Sequence, residues 1–312
     1  MQTTMTVFDR ALLRRRRDRA ALAGDGAADF LFREVADRLA DRLLDIREIF
    51  PVALELGCRR GALAEFLRGR GGIEHLLGMD LSEAMVRETQ GAGGAAFVAD
   101  EERLPLADGS VDLVLSNLAL HWVNDLPGCL IQARQALRPN GLLLASMFGG
   151  ETLVELRDVF LRAEAEVTGG AAPRISPFAD VRDMGGLLQR AGFALPVVDS
   201  DRITVTYANA FALFADLKAM GETSVLLERS RRPLRRAVLL RAAELYSEMF
   251  AGADGRIPAS FQILYVHGWA PHESQPRALK PGSAAHRLAD ALGADVLEFG
   301  ARGGMPPRKE GM

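Results

Sequence analysis

Cysteine is nearly absent. Only Cys58 and Cys129 occur in 312 residues, which excludes a disulfide-stapled scaffold and makes a reducing compartment, the cytosol, the simpler expectation. Long apolar runs are missing as well: the best stretch, Ile257 to Pro271, is broken by Ser260, Gln262 and His267 and falls short of the ~18 uncharged apolar residues of a membrane helix. Charge of one sign is not in excess, since 38 basic residues stand against 41 acidic ones for a net −3, which argues against a dedicated nucleic-acid binder. No secretory leader is read, because the basic run Arg14 to Arg17 continues into Asp18 and Arg19 instead of an apolar segment. Lysine is scarce too: Lys218, Lys280 and Lys309 are the only three among the 38 basic residues, a mark of a GC-rich coding sequence more than of function.

What remains is an ordinary globular composition, 48% apolar and 25% charged, in a chain long enough to bury a large core. Residues 1–27 read as a basic arm, with Phe8, Leu12 and Leu13 as apolar anchors and Arg14 to Arg19 as a solvated charge run. From Asp29, Leu31, Val35, Leu39, Leu43 and Ile46 recur at helical spacing up to Pro51. Short apolar runs at 52–56, 76–79, 96–98, 111–115 and 142–146 then alternate with helical segments. That alternation predicts a parallel sheet covered on both faces. A turn is expected at Arg138-Pro139-Asn140-Gly141, ahead of the fifth strand. Beyond it, helices are expected at 151–166, 180–191, 209–220 and 234–250, with strands at 202–207 and 260–267 on an antiparallel edge. The expected organisation is an α/β, doubly wound, mostly parallel seven-stranded Rossmann-like sheet. It forms one domain over 28–275, with a cofactor half at 50–148, a cap with the edge at 149–275, and a poorly ordered tail at 276–312.

Chemistry gathers at the strand ends. The first strand runs into Glu55-Leu56-Gly57-Cys58-Arg59-Arg60-Gly61, where glycines let the backbone approach a ligand and a following helix offers free N–H groups. Asp80 closes the second strand, where a carboxylate accepts both hydroxyl hydrogens of a ribose. Asp100 and Glu101 close the third, and Ser116 and Asn117 the fourth. The loop lacks the second glycine of a dinucleotide fingerprint and carries Glu55 in the strand end, so a cationic sulfonium with an amino-acid tail suits it better than a pyrophosphate.

Glu55-Leu-Gly57-Cys-x-x-Gly61, Gly78-x-Asp80, Asp100 with Leu104-Pro105, the Val-Asp-Leu-Val run at 111–114 and Leu137-Arg138-Pro139-Asn140-Gly141 resemble the ordered motifs of class I S-adenosylmethionine-dependent methyltransferases. A wider set resembles a respiratory complex I assembly factor family whose mitochondrial member is a protein-arginine hydroxylase. It comprises Phe8-Asp9-Arg10, Ser116 through Pro127, Met147 through Leu153, Ile175-Ser176-Pro177-Phe178, Gln262-Ile263-x-Tyr265 with Gly268-Trp269, and His272 through Gln275. A more distant likeness is to the malonyl-carrier-protein O-methyltransferase of biotin synthesis. The resemblance implies S-adenosyl-L-methionine as cofactor, held by Glu55, Gly57, Cys58, Gly61, Asp80, Leu81, Asp100, Glu101 and Ser116. It implies a protein substrate, a core subunit of complex I, met by at most peripheral membrane contact. The alternatives are true methyl transfer to a carboxylate of a carrier protein or small molecule, and a non-catalytic assembly chaperone.

His121, Trp122 and Asn117 follow or end the fourth strand, where a substrate approaches the cofactor methyl, and are the candidate catalytic residues. Arg59 stands where the family pattern has glycine, and its side chain is expected to point outward. His267, His272 and Glu273 form no convincing metal triad: histidines five apart on a strand face opposite sides, and Pro271 intervenes. No metal site is assigned.

Overall fold

The apolar runs become seven strands: β1 (Val52–Leu56), β2 (His75–Asp80), β3 (Ala95–Val98), β4 (Val111–Asn117), β5 (Leu137–Phe148), β6 (Ala194–Tyr207) and β7 (Ile257–Trp269). In this computed structural model, which describes residues 6–24, 26–170, 172–230 and 233–276, they form one sheet in the order β3-β2-β1-β4-β5-β7-β6. The first five run parallel, and β7 lies antiparallel between β5 and β6. The expected doubly wound class and antiparallel edge are both present. Apart from Pro276, the tail expected at 276–312 lies outside the described residues.

Helices α1 (Arg10–Ala23), α2 (Phe30–Asp41), α3 (Ala62–Phe66), α4 (Glu83–Gly91), α5 (Leu126–Ala136), α6 (Val154–Thr168), α7 (Val181–Arg190), α8 (Ala210–Ala219) and α9 (Arg236–Phe250) accompany the sheet. Side-chain alternation divides the core between the two faces. Leu113, Leu115, Leu142 and Leu144 pack with α2, α6, α8 and α9, whereas Val114, Leu143 and Leu54 pack with α5 and α7. Several helices start at side-chain caps: Asp9 accepts from the Leu12 N–H, Ser82 from Met85 and Asp125 from Gly128.

Two elements differ from the sequence reading. The expected turn at 138–141 is a bulge within β5, because Val111 pairs with Leu137 while Leu113 pairs with Leu142. Strand β6 begins at Ala194, well before 202. Its alternation is of half-buried and exposed residues with Asp199-Ser200-Asp201 in the middle, so hydropathy hides a strand that the long pairing with β7 makes obvious.

Candidate active site

Parallel register brings the strand ends to one edge. Glu55 of β1 lies beside Gly78 of β2 and Leu115 of β4, so Asp80, Glu55 and Ser116-Asn117 leave the sheet side by side. The strand order reverses between β1 and β4, the usual crevice of an open α/β sheet. Gly57 makes the turn there with φ +69°, and a Cβ on it would stand 2.3 Å from the Ala119 Cβ. Gly57→Ala is therefore expected to lose about 2–4 kcal/mol from left-handed strain and overpacking together, read as a lower urea midpoint.

The glutamate and cysteine of the loop are buried. Glu55 has neither a hydrogen bond nor an ion pair with any described residue, and burial, with the nearby Asp80 charge, pushes its pKa up to about 8. It borders a cavity of about 10 Å³ shared with Gly57, Cys58, Arg59, Ala62 and Asn117, about the volume that admits one water. Burial also pushes the Cys58 thiol well up. Its side chain lies against Gly78, where a Cβ would meet Cys58 at 2.9 Å, which accounts for the glycine of Gly78-x-Asp80.

Arg59 corrects the outward expectation. It takes φ +51° and turns inward, its guanidinium carbon 3.7 Å from the centroid of the Phe32 ring. There Nη1 donates to Glu222 Oε1 at 2.9 Å and Nη2 donates to the Met220 carbonyl. An ion pair on an aromatic shelf compensates burial that a lone guanidinium would not tolerate.

The basic arm is corrected as well. Residues 10–23 form α1, and Leu13, Arg17, Ala20 and Ala21 make its buried face. Arg17 is 0% exposed. Its Nη1 lies 3.2 Å from both Asp80 oxygens and 3.2 Å from Glu101 Oε1. Arg10 donates to Asp100 Oδ1 at 2.6 Å and also to Glu101. The solvated reading holds only for Arg14, Arg15 and Arg19 on the outer face. The helix is pinned at both ends: Asn124 Oδ1 accepts from the N–H groups of Val7 and Phe8 at 2.8 and 2.7 Å, and Ser82 Oγ donates to Asp18 at 2.5 Å.

Glu222 organises the other end of the site. Its carboxylate accepts from Arg59, from Trp122 Nε1 at 2.8 Å and from His121 Nε2 at 3.2 Å. Burial works to raise its pKa, but the His121 hydrogen bond and the charges of Arg59 and Arg17 hold it at about 2. Burial lowers the pKa of His121, against the hydrogen bond and charge of Glu222, which raise it. The ring is wedged between Trp122 and Phe148, with centroids 5.0 and 4.7 Å away, and its Nδ1 has no partner among the described residues. Trp122 and Glu222 also wall a cavity of about 360 Å³, lined mostly by apolar side chains such as Leu156, Phe160, Phe178 and Phe214, with Arg174, Ser176, Thr223 and Ser224 among them.

The remaining candidates hold the frame. Ser116 Oγ donates to the Leu56 carbonyl at 3.0 Å. Asn117 donates to the Phe32 carbonyl at 2.9 Å and accepts from Ser146 at 3.0 Å, so its amide ties α2 to β4 and β5. Gly61, at φ +76°, launches α3, and Leu81 packs beside Phe8, Leu13 and Trp122. The structure thus brings together Glu55, Gly57, Asp80, Glu101 and Asn117, and adds Arg17, Phe32 and Glu222, which the sequence reading did not single out. For Arg17 a signal existed: residues 13, 17, 20 and 21 share one helical face.

A family model described as a methyltransferase domain matches residues 54–145. The chain is 44% identical over 289 residues to the mitochondrial arginine-hydroxylase NDUFAF5 of Danio rerio, covering 92% of this chain and 89% of that protein. It is 36% identical to a malonyl-[acyl-carrier protein] O-methyltransferase of Laribacter hongkongensis, covering 93% and 96%. Among solved structures, the YcgJ protein of Bacillus subtilis shares the fold with a TM-score of 0.53 at 13% identity, covering 75% of this chain and 98% of that one. The sheet order and an identity of this size over nearly the full length have one meaning: the chain belongs to the arginine-hydroxylase NDUFAF5 family, within the class I S-adenosylmethionine-dependent methyltransferase superfamily.

Proposed function

We propose that the chain binds S-adenosylmethionine at the strand ends and hydroxylates an arginine of a protein substrate, a core subunit of respiratory complex I during its assembly, with molecular oxygen and an external two-electron donor as co-substrates, one oxygen atom going to the arginine and the other to water. The observation that carries this reading is the reach of the 44% identity. It extends over 92% of the chain, far beyond the methyltransferase match at 54–145, and so takes in the cap that contributes Glu222. The protein would act in the cytoplasm and meet its substrate at the inner face of the membrane; no helix of the described residues is long and apolar enough to cross one.

The donor set fits the cofactor. Glu55, buried and without a partner, suits the ammonium of its amino-acid end, Asp80 suits two ribose hydroxyls, and Asp100 and Glu101 lie toward the base. When bound, the cofactor supplies a methyl on a cationic sulfur. Trp122 walls the cavity that would admit the substrate side chain, and a water-poor site there would strengthen every polar contact inside it. His121 and Asn117 enter as positioning residues, His121 by fixing Glu222 behind Trp122 and Asn117 by fixing Phe32 under Arg59.

The 36% identity to the carrier-protein O-methyltransferase keeps methyl transfer as the second reading. Intact-mass analysis of complex I subunits from a strain lacking this gene tells them apart. Hydroxylation leaves one core-subunit arginine lighter by one oxygen, restored by the wild-type gene and not by the Asp80→Asn variant. A missing methyl group on a carrier protein assigns methyl transfer instead. Unchanged masses with failed assembly overturn both.

A further inference from the structure

The acids that the proposed cofactor would use already have a cation. Asp80 and Glu101 are fully buried, and Arg17 fills the space between them from α1. The fit is loose. All three contacts go through one nitrogen at 3.2 Å, longer than the roughly 2.7–2.9 Å of a good charge-assisted bond, and the Nε and Nη2 of Arg17 have no partner among the described residues. Buried donors left unmatched are costly. Arg17 neutralises the acids, which also accept from the Arg59 and Ser82 N–H groups and from Arg10, while its own Nε and Nη2 stay unmatched among the described residues.

We propose that Arg17 is an internal plug of the nucleoside site, and that cofactor entry exchanges it for ribose and base as α1 lifts away. This rests on the cofactor reading above. A ribose offers Asp80 two hydroxyl donors in place of one shared N–H, while a released guanidinium regains water on all its donors. The lift has somewhere to start: α1 ends at Gly24, with φ +87°, and Gly26 follows at φ +55°. The other side is firmer, because Phe8 packs edge-on against Trp122 at 5.4 Å and the Asp9 N–H donates to the Val225 carbonyl at 2.8 Å. The movement is therefore a swing of the Arg17 end of α1 about its anchored Phe8 end, and it breaks the bonds that Ser82 makes to Asp18 and Arg60 to the Ala20 carbonyl. Arg10, nearer that anchor, stays by Asp100.

The test uses S-adenosylhomocysteine, which binds without reacting, on the full chain. With the plugged form dominant, apparent affinity is reduced by the fraction of chains that are open. Arg17→Gln is then expected to tighten the calorimetric dissociation constant by about tenfold, while Arg14→Gln on the exposed face of the same helix leaves it unchanged. In the wild type, hydrogen exchange across residues 10–23 is expected to speed up on adding the ligand, a readout that holds even if the variant folds poorly. Equal or weaker binding by Arg17→Gln, or slower exchange in α1 on ligand addition, overturns the plug and leaves the cofactor reading standing. No binding by either protein overturns both.

Discussion

Glu55→Gln is expected to stabilise the protein above neutral pH and to weaken cofactor binding at the same time. A carboxyl raised by burial from 4.5 to about 8 binds its proton more tightly in the folded chain than in the unfolded one. Its contribution is fully present below pH 4.5 and is lost as pH climbs toward 8. At pH 7 this amounts to a cost of about 3 kcal/mol. A neutral amide of the same shape has no such dependence. Thermal unfolding of wild type and Glu55→Gln should nearly coincide at pH 5 and separate by about 5 °C in favour of the variant at pH 8. Parallel pH profiles would refute the burial argument. Binding of S-adenosylhomocysteine should weaken by about thirtyfold, the loss of a hydrogen bond between charged groups worth about 2 kcal/mol. Opposite signs of the two effects would distinguish a ligand-binding acid, kept at a cost in stability, from a merely structural residue.

Glu222→Ala is expected to be the most damaging single change in the site. It leaves the Arg59 guanidinium buried with no carboxylate, and removes the acceptor of Trp122 Nε1 and His121 Nε2. Breaking a buried pair on one side costs about 3–5 kcal/mol, which urea unfolding reads directly. Combining it with Arg59→Met should return a substantial part of the loss, because the stranded charge goes with its partner. A loss below about 1 kcal/mol in the single variant, the exposed-pair range, would mean that water reaches Arg59. The wild type carries a matching acid signature. A carboxyl depressed to about 2 from 4.5 contributes stability that is complete above pH 4.5 and lost as pH falls from 4.5 toward 2.

Both variants touch residues that differ in how legible they were. Glu55 stands in a strand end ahead of a glycine turn, a local pattern with a local meaning. Glu222 stands in a connection after α8, 163 positions along the chain from the Arg59 it neutralises, and no short-range rule joins them. Arg59 shows the same limit from the other side. Its identity at a glycine position was readable, but an outward rotamer follows only if nothing inside compensates the charge, and the compensation comes from Phe32 and Glu222.

The sequence by itself determined the strand and helix alternation, the order of the motifs, the buried face of α2 and the run of acids at the strand ends. Each follows from periodicity or turn chemistry within a few neighbouring residues. Only the tertiary structure decided that the basic N-terminal segment lies over those acids, that Arg59 points inward, and that His121 supports the site from behind Trp122. These are pairings of charges far apart in the chain. Their energies depend on burial and on distances of a few ångströms, and neither exists until the sheet and its helices have assembled.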